Sequence, residues 1–151
     1  GYKSLNFHQA GAELPVIPDI QTHVVEKGLS QAPKDKVGEN LYNRGVYQGV
    51  LIAEAIRNAQ KLTGKKAITG EDLRRGFETL SIDEGRWKEL GLPGFAAPVK
   101  ITCGDHSGHH AIFIQEWDGS KWTRASDWIT PMKDKVRPLL EAAAKDYAEK
   151  N

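Results

Sequence analysis

The chain has 151 residues, 39% hydrophobic and 27% charged, an ordinary globular composition long enough for one sizeable core. Its 21 basic and 20 acidic residues leave a net charge of +1, so no global field draws it to nucleic acid or to an acidic membrane. No apolar run approaches the roughly 20 residues of a membrane-spanning helix, and the single cysteine, Cys103, rules out an internal disulfide.

Tyr2, Leu5 and Phe7, with polar residues between them, predict a short strand that opens the chain without an initiator Met. After the loop from Gln9 to Pro15, Pro18 and Asp19 open a helix that carries Ile20, Val24 and Val25 and stops at Gly28. Leu29 to Glu39 is polar, holds Pro33, and reads as a loop longer than the common connection. Leu41 to Gln60 predicts a long helix. Val46, Val50, Ala53, Ile56 and Ala59 recur at three- and four-residue steps, and Leu51, Ile52 and Ala55 widen the stripe. Gly45 and Gly49 lower its propensity by up to about 1 kcal/mol each and are expected to let another backbone approach.

Thr69 is a good N-cap, with Glu71 and Asp72 in the dipole-favoured first turn and Leu73, Phe77 and Leu80 as the buried stripe. Ser81 to Leu90 reads as a short helix or turn ended by Gly91-Leu-Pro-Gly94, and Val99 to Thr102 as a strand. Ala111 to Trp117 and Lys121 to Ser126 predict two strands joined at Asp118-Gly119, a strong hairpin signal, with Trp117 and Trp122 paired across it. A last helix begins at Thr130-Pro131 with Val136, Leu139, Ala143 and Tyr147 on its apolar face; Pro138 is expected to kink or restart it.

The run Cys103-Gly-Asp105-His106-Ser-Gly-His109-His110 looks most like chemistry, because thiolate and imidazoles can hold zinc. A structural zinc site pairs its ligands across a knuckle and recruits a second pair elsewhere, whereas His8 and His23 are the only other histidines. In an extended strand His109 and His110 would also point to opposite faces. The bland reading is a glycine-bounded turn with the Asp105 carboxylate capping backbone N–H groups and Cys103 on a buried strand face. The alternative is a Cys/His-dependent or zinc-dependent hydrolase using the Cys103–His110 cluster. The tryptophans at 87, 117, 122 and 128 are expected in the core, stacking on a ligand being their other role. Lys61 to Lys66 lacks the glycine spacing of a P-loop and reads as a solvated helix end.

At the start of the long helix, Tyr42, Asn43 and Arg44 bring a ring, an amide and a cation to a helix N-terminus. The first-turn N–H groups and the dipole favour a carboxylate there, and Arg44 can add a bidentate contact. The same residues fit a plain cap by Asn40 or Asn43 with Arg44 solvated; the residues alone leave both readings open.

Gly1-Tyr-Lys-Ser-Leu5, Gly45-Val-Tyr-Gln48 with Ala55-Ile-Arg-Asn-Ala59, Gly70-Glu-Asp-Leu73 with Phe77-Glu-Thr-Leu80, Asp105-His-Ser-Gly108, and Trp117-Asp-Gly-Ser-Lys-Trp122 with Ser126-Asp-Trp128 follow one another along the chain. Together this order resembles the C-terminal part of the branched-chain amino-acid type (type I) periplasmic solute-binding proteins of ABC transporters. The resemblance implies an α/β fold: part of the two-lobed type I periplasmic-binding-protein fold, with helices packed on parallel sheets, crossover strands, and ligand held between the lobes. Residues 1–8 would be the last strand of lobe two, 9–128 the C-terminal part of lobe one with crossover strands, and 129–151 the final helix returning to lobe two. The N-terminal half of the protein and the signal peptide of a periplasmic protein would lie upstream.

The function so implied is a non-catalytic substrate-binding component of an ABC importer, with no cofactor, no metal and no nucleic acid. Its partners would be a small carboxylate solute, either an amino acid or an aromatic acid, and the ABC permease of the inner membrane. The ligand-binding positions implied are Tyr42, Asn43, Arg44, Val46 and Tyr47, with Phe7 and His8 at the end of the first strand. Val46 stands where the family has an aromatic residue packing on the ligand, so Tyr42 or Tyr47 is expected to supply the ring. A ligand-sensing regulatory domain of the same fold is a further reading. An incomplete two-lobe core would expose strand edges and apolar surface, so self-association of this chain is expected.

Overall fold

The computed structural model describes residues 1–108 and 111–150. Its longest element is α2 (Asn40–Thr63), stopped by Gly64 in the left-handed region (φ 70°), whose N–H reaches the Gln60 carbonyl at 2.8 Å. Beside it runs α3 (Gly70–Phe77), opened by a capping box. Thr69 Oγ1 accepts from the Asp72 N–H at 3.2 Å, and Asp72 Oδ2 accepts from the Thr69 N–H at 3.0 Å. The two helices touch backbone to backbone at Gly76, where a Cβ would run into the Ala55 carbonyl oxygen. The close approach expected at Gly45 and Gly49 is not there. A Cβ at either meets nothing within 4 Å, and both positions are exposed.

A short helix, α4 (Glu84–Glu89), is fixed to α2 by charge. The half-exposed Arg86 reaches Glu54 through Nε at 2.7 Å and Nη2 at 2.9 Å, and Arg57 adds a second contact from within α2. Hydrogen bonding from Arg86, then from Arg57, holds the Glu54 carboxyl below its usual range against the opposing effect of burial. Between α2 and α4 lies the core: Tyr47, Leu80, Ile82, Trp87, Leu92, Phe95, Ala96 and Val99. Tyr47 stacks on Trp87 (centroids 5.9 Å, 20°), Trp87 stands edge-on to Phe95, and the Trp87 indole N–H donates to the Ala97 carbonyl at 3.2 Å. A smaller cluster of Ile17, Val25 and Val37 sits under α1 (Val16–Ile20) and the π-helical turn Gln21–Val25 that continues it to Gly28.

The α/β class holds: helices and open sheets share the chain. The strand pairing differs from the parallel sheets that the resemblance implies. β1 (Tyr2–Asn6), β4 (Phe113–Trp117) and β5 (Trp122–Arg124) form one sheet in the order β1-β4-β5, and β2 (Ser81–Ile82) pairs with β3 (Val99–Lys100). All of these pairs are antiparallel. For β4 and β5 the reason is local. A tight turn at Asp118, whose carboxylate accepts from the N–H groups of Ser120 and Lys121, can only return the chain antiparallel.

Two further expectations change. The strand before Cys103 ends at Lys100; Thr102 and Asp105 exchange backbone hydrogen bonds (3.1 and 3.0 Å), which puts Cys103 in an exposed turn rather than on a buried strand face. The last helix, α5 (Lys133–Lys150), runs through Pro138 without a restart. The proline falls early in the helix, where its missing N–H removes a single intrahelical bond. No residue of α5 is buried, and Leu139, Leu140 and Tyr147 of its apolar face are exposed. Of the tryptophans, Trp87 is core; Trp117 and Trp122 pair across the hairpin at 5.5 Å and both reach solvent, while Trp128 stands edge-on to Phe113.

The Gly76 contact reverses the usual sign of a helical Gly→Ala exchange. Gly76→Ala is expected to lower the unfolding free energy by about 1–3 kcal/mol, whereas Gly45→Ala and Gly49→Ala should raise it by up to about 1 kcal/mol each. Urea unfolding of the three variants checks this, and equal signs at all three positions would refute the packing account.

Candidate functional site at the β1–α2 junction

Six polar residues are buried among the described residues, and four of them, Asn6, His8, Asn43 and Gln115, gather where β1 meets α2 and β4. Buried polar groups are tolerated when they bond one another, so such a concentration is the signature of a specified site. Asn6 Nδ2 donates to Asn40 Oδ1 at 2.6 Å and to Gln115 Oε1 at 3.2 Å, while its Oδ1 accepts from the Phe7 N–H at 3.0 Å. The amide thus ties the end of β1 to both α2 and β4.

Asn43 does the same one turn further on. Its Nδ2 donates to the Gln9 carbonyl at 3.1 Å and the Gly11 carbonyl at 3.0 Å, holding the segment that leaves β1 against the helix. Its Oδ1 is buried without a partner among the described residues. Neither Asn40 nor Asn43 caps the helix: the N-cap is Glu39, with no side-chain cap bond.

His8 is fully buried, and both ring nitrogens are engaged: Nδ1 lies 3.3 Å from the Gln9 carbonyl, and Nε2 lies 3.3 Å from Arg44 Nε. Arg44 can only donate, so Nε2 carries the lone pair and Nδ1 the proton. Burial first, and the Arg44 charge in addition, push the His8 pKa below its ordinary 6.5. The Arg44 guanidinium lies over the Phe7 ring at 4.8 Å, and Nη1 and Nη2 have no partner among the described residues.

The sequence-predicted positions therefore divide. Phe7, His8, Arg44 and Tyr47 come together: Tyr47 is edge-on to Phe7 at 5.4 Å and stacked on His8 at 6.1 Å. Tyr47 is nonetheless core, and burial pushes its hydroxyl up to about 12. Val46 packs against the same aromatic core, whereas Tyr42 packs on the separate cluster beneath α1. Asn43 acts on the backbone of the Gln9–Gly11 segment.

Sequence reasoning missed the adjoining cleft. A cavity of about 480 Å³ opens at the start of α2, lined by Glu39, Asn40 and Leu41 and walled by Trp117, Lys121 and Trp122 of the hairpin. A smaller one of about 170 Å³ continues it past Gln115 and Arg124. The tryptophan pair was visible in the sequence; its placement against α2 was not, because β1 joins the two through contacts over a hundred residues apart.

The Cys103–His110 cluster is spoken for differently. Lys133, before the Ser107 hydroxyl, holds the Asp105 carboxyl well below the usual range, and Asp105 also accepts from the Ser107 N–H. His106 Nε2 lies 3.2 Å from Glu78. His109 and His110 lie outside the described residues. Among the described residues no three His, Cys, Asp or Glu side chains gather as a metal would require.

With this geometry in hand, the likenesses can be placed. No family model and no curated protein matches the chain. Among solved structures it is similar to an ABC transporter permease from the Pseudomonas fluorescens group, at 34% identity and a TM-score of 0.91, over 99% of this chain and 36% of that one. It is also similar to a branched-chain amino acid ABC transporter from Thermus thermophilus with bound valine, at 20% identity and a TM-score of 0.64, over 87% of this chain and 34% of that one. The chain thus spans about a third of either neighbour, and both neighbours are ABC-transporter components. No helix of the described residues is long and apolar enough to cross a membrane.

Asn43→Asp replaces a double donor by an acceptor facing two carbonyls. It is expected to cost about 3 kcal/mol or more at neutral pH. Burial would raise the new carboxyl's pKa above its unfolded value, so stability should recover as the pH falls and the group regains a donor. Urea unfolding at neutral and acidic pH measures both effects.

Proposed function

We propose that this chain is part of a non-catalytic, substrate-binding component of an ABC importer that holds a small carboxylate solute, either an amino acid or an aromatic acid. The observation that carries the reading is the TM-score of 0.91 over 99% of the chain, at 34% identity, with an ABC-transporter structure. The junction supplies matching chemistry: the Arg44 guanidinium, whose Nη atoms have no partner among the described residues, is oriented by Phe7 and His8, and the first residues of its helix line an aromatic-walled cavity. In this reading the carboxylate meets Arg44 and the first turn of α2, and Trp117 and Trp122 flank the solute's apolar part.

On the same reading residues 1–8 belong to lobe two, 9–128 to lobe one and its crossovers, and 129–151 return to lobe two. The uncovered apolar face of α5 fits a helix that packs on a second lobe. The partner would be the permease of the inner membrane, and the compartment the periplasm.

Isothermal titration of the whole gene product with L-valine, L-phenylalanine and benzoate tests this. At least one is expected to bind, and Arg44→Met should weaken that binding by about tenfold to a hundredfold, the loss of a charge-assisted hydrogen bond. Unchanged affinity in Arg44→Met would remove Arg44 from the site, and no binding of any carboxylate would overturn the reading.

A further inference from the structure

His8 is placed where it cannot touch a solute, since its side chain is fully buried, yet it is the only hydrogen-bond partner of the Arg44 side chain among the described residues. The bond has one permitted proton arrangement. Nδ1–H faces the Gln9 carbonyl, so Nε2 is left to accept the Arg44 Nε–H. A second proton could enter only at Nε2, which would replace the acceptor by a donor and set an imidazolium against a guanidinium.

Among the described residues the surroundings offer no compensation. From α2, His8 faces Arg44 and Tyr47, and Tyr47 stays neutral across the physiological range. From the segment beyond α4 it faces Phe95 and Ala96, from its own strand Phe7, and from the following residue only a carbonyl. No carboxylate among the described residues pairs with it.

We propose that His8 is a positioning residue for Arg44: as a neutral ring it fixes the guanidinium over Phe7, and on protonation it releases it, so that carboxylate binding weakens on the acid side of neutrality. This rests on the solute-binding reading above. The sign is set by linkage. The folded-state pKa lies below the ordinary 6.5, so between those two values the unfolded or released form binds more protons. Stability and affinity are therefore complete above about pH 6.5 and fall as the pH drops toward the folded value.

The test uses the whole gene product and two kinds of readout. Long-range proton–nitrogen NMR should show His8 protonated at Nδ1 only near neutral pH, with a midpoint below 6.5 that moves up in Arg44→Met. A ring protonated at Nε2, or a midpoint at or above 6.5, would overturn the proposal. Titration with L-valine, L-phenylalanine and benzoate should show the affinity falling as the pH drops from neutrality through the His8 midpoint found by NMR. His8→Gln, whose amide oxygen accepts from Arg44 without titrating, should keep the neutral-pH affinity and lose the pH dependence. His8→Leu should bind weakly at every pH. A His8→Gln protein as pH-dependent as the wild type would sink the idea. If none of the three compounds binds at any pH, the solute-binding reading fails and takes the affinity clause with it. The ring protonation and the Arg44→Met shift would still decide whether His8 holds Arg44.

Discussion

One carboxamide sets the geometry on which the candidate site depends. Asn43 spends both of its amide protons on the carbonyls of Gln9 and Gly11, so the chain leaving β1 cannot swing away from the first turns of α2. Removing the amide would take a donor from the half-buried Gly11 carbonyl, at roughly 1–3 kcal/mol, while the Gln9 carbonyl would keep its contact with His8 Nδ1. The Oδ1 of the same residue has no partner among the described residues, so the amide is oriented for its donors at the expense of its acceptor. Asn6, bonded to Asn40 and Gln115, repeats the tie on the sheet side. Between them the two amides determine where Phe7, His8 and Arg44 can be.

The aromatic packing behind this junction explains why the charge sits where it does. Tyr47, Trp87, Phe95 and His8 form a continuous set of ring contacts with centroids about 6 Å apart. A charge within that set would have no counter-ion and little water, so the histidine is neutral and the tyrosine hydroxyl is held protonated. The guanidinium lies at the edge instead, where Phe7 offers a ring face and His8 a lone pair. The cation is thus oriented by neutral groups, and no carboxylate among the described residues pairs with it.

What the sequence shows of this divides by range. The long helix, the Thr69–Asp72 capping box and the Asp118 hairpin are legible because each is decided within a few residues, by periodicity, by a cap or by turn chemistry. The same locality made Tyr42, Asn43, Arg44 and Tyr47 stand out as one stretch, but not the separate tasks the helix gives them. Successive residues on a helix point in different directions, so Tyr42 goes to one cluster, Tyr47 to another, Asn43 to a backbone and Arg44 to the edge. Gly76 shows the limit most clearly. Gly45 and Gly49 have the suggestive spacing, yet the glycine that lets two helices meet is on the partner helix, and only the tertiary pairing of α3 with Ala55 reveals it. Cys103 fails for a related reason: a strand ending two residues early moves a side chain from a buried face to an exposed turn.

The fold is unevenly anchored, and this bears on how a solute would be held. α2, α3 and α4 are bound to one another by the Gly76 contact and the Glu54–Arg86 pair, so the helix that presents Arg44 is part of a rigid block. α5 is tied at its beginning, through Lys133 to Asp105 and Arg137 to the Gly104 carbonyl, and it shows pairs within its own length at Arg137–Glu141, Lys145–Glu149 and Lys150–Asp146. Pairs of that kind contribute about 0.2–0.5 kcal/mol each, too little to fix an isolated helix of this length. A binding site gains from having its charged group on the stiff block, because a guanidinium held in advance loses less freedom when the anion arrives. It is the β1–α2 junction, and not α5, that meets this condition.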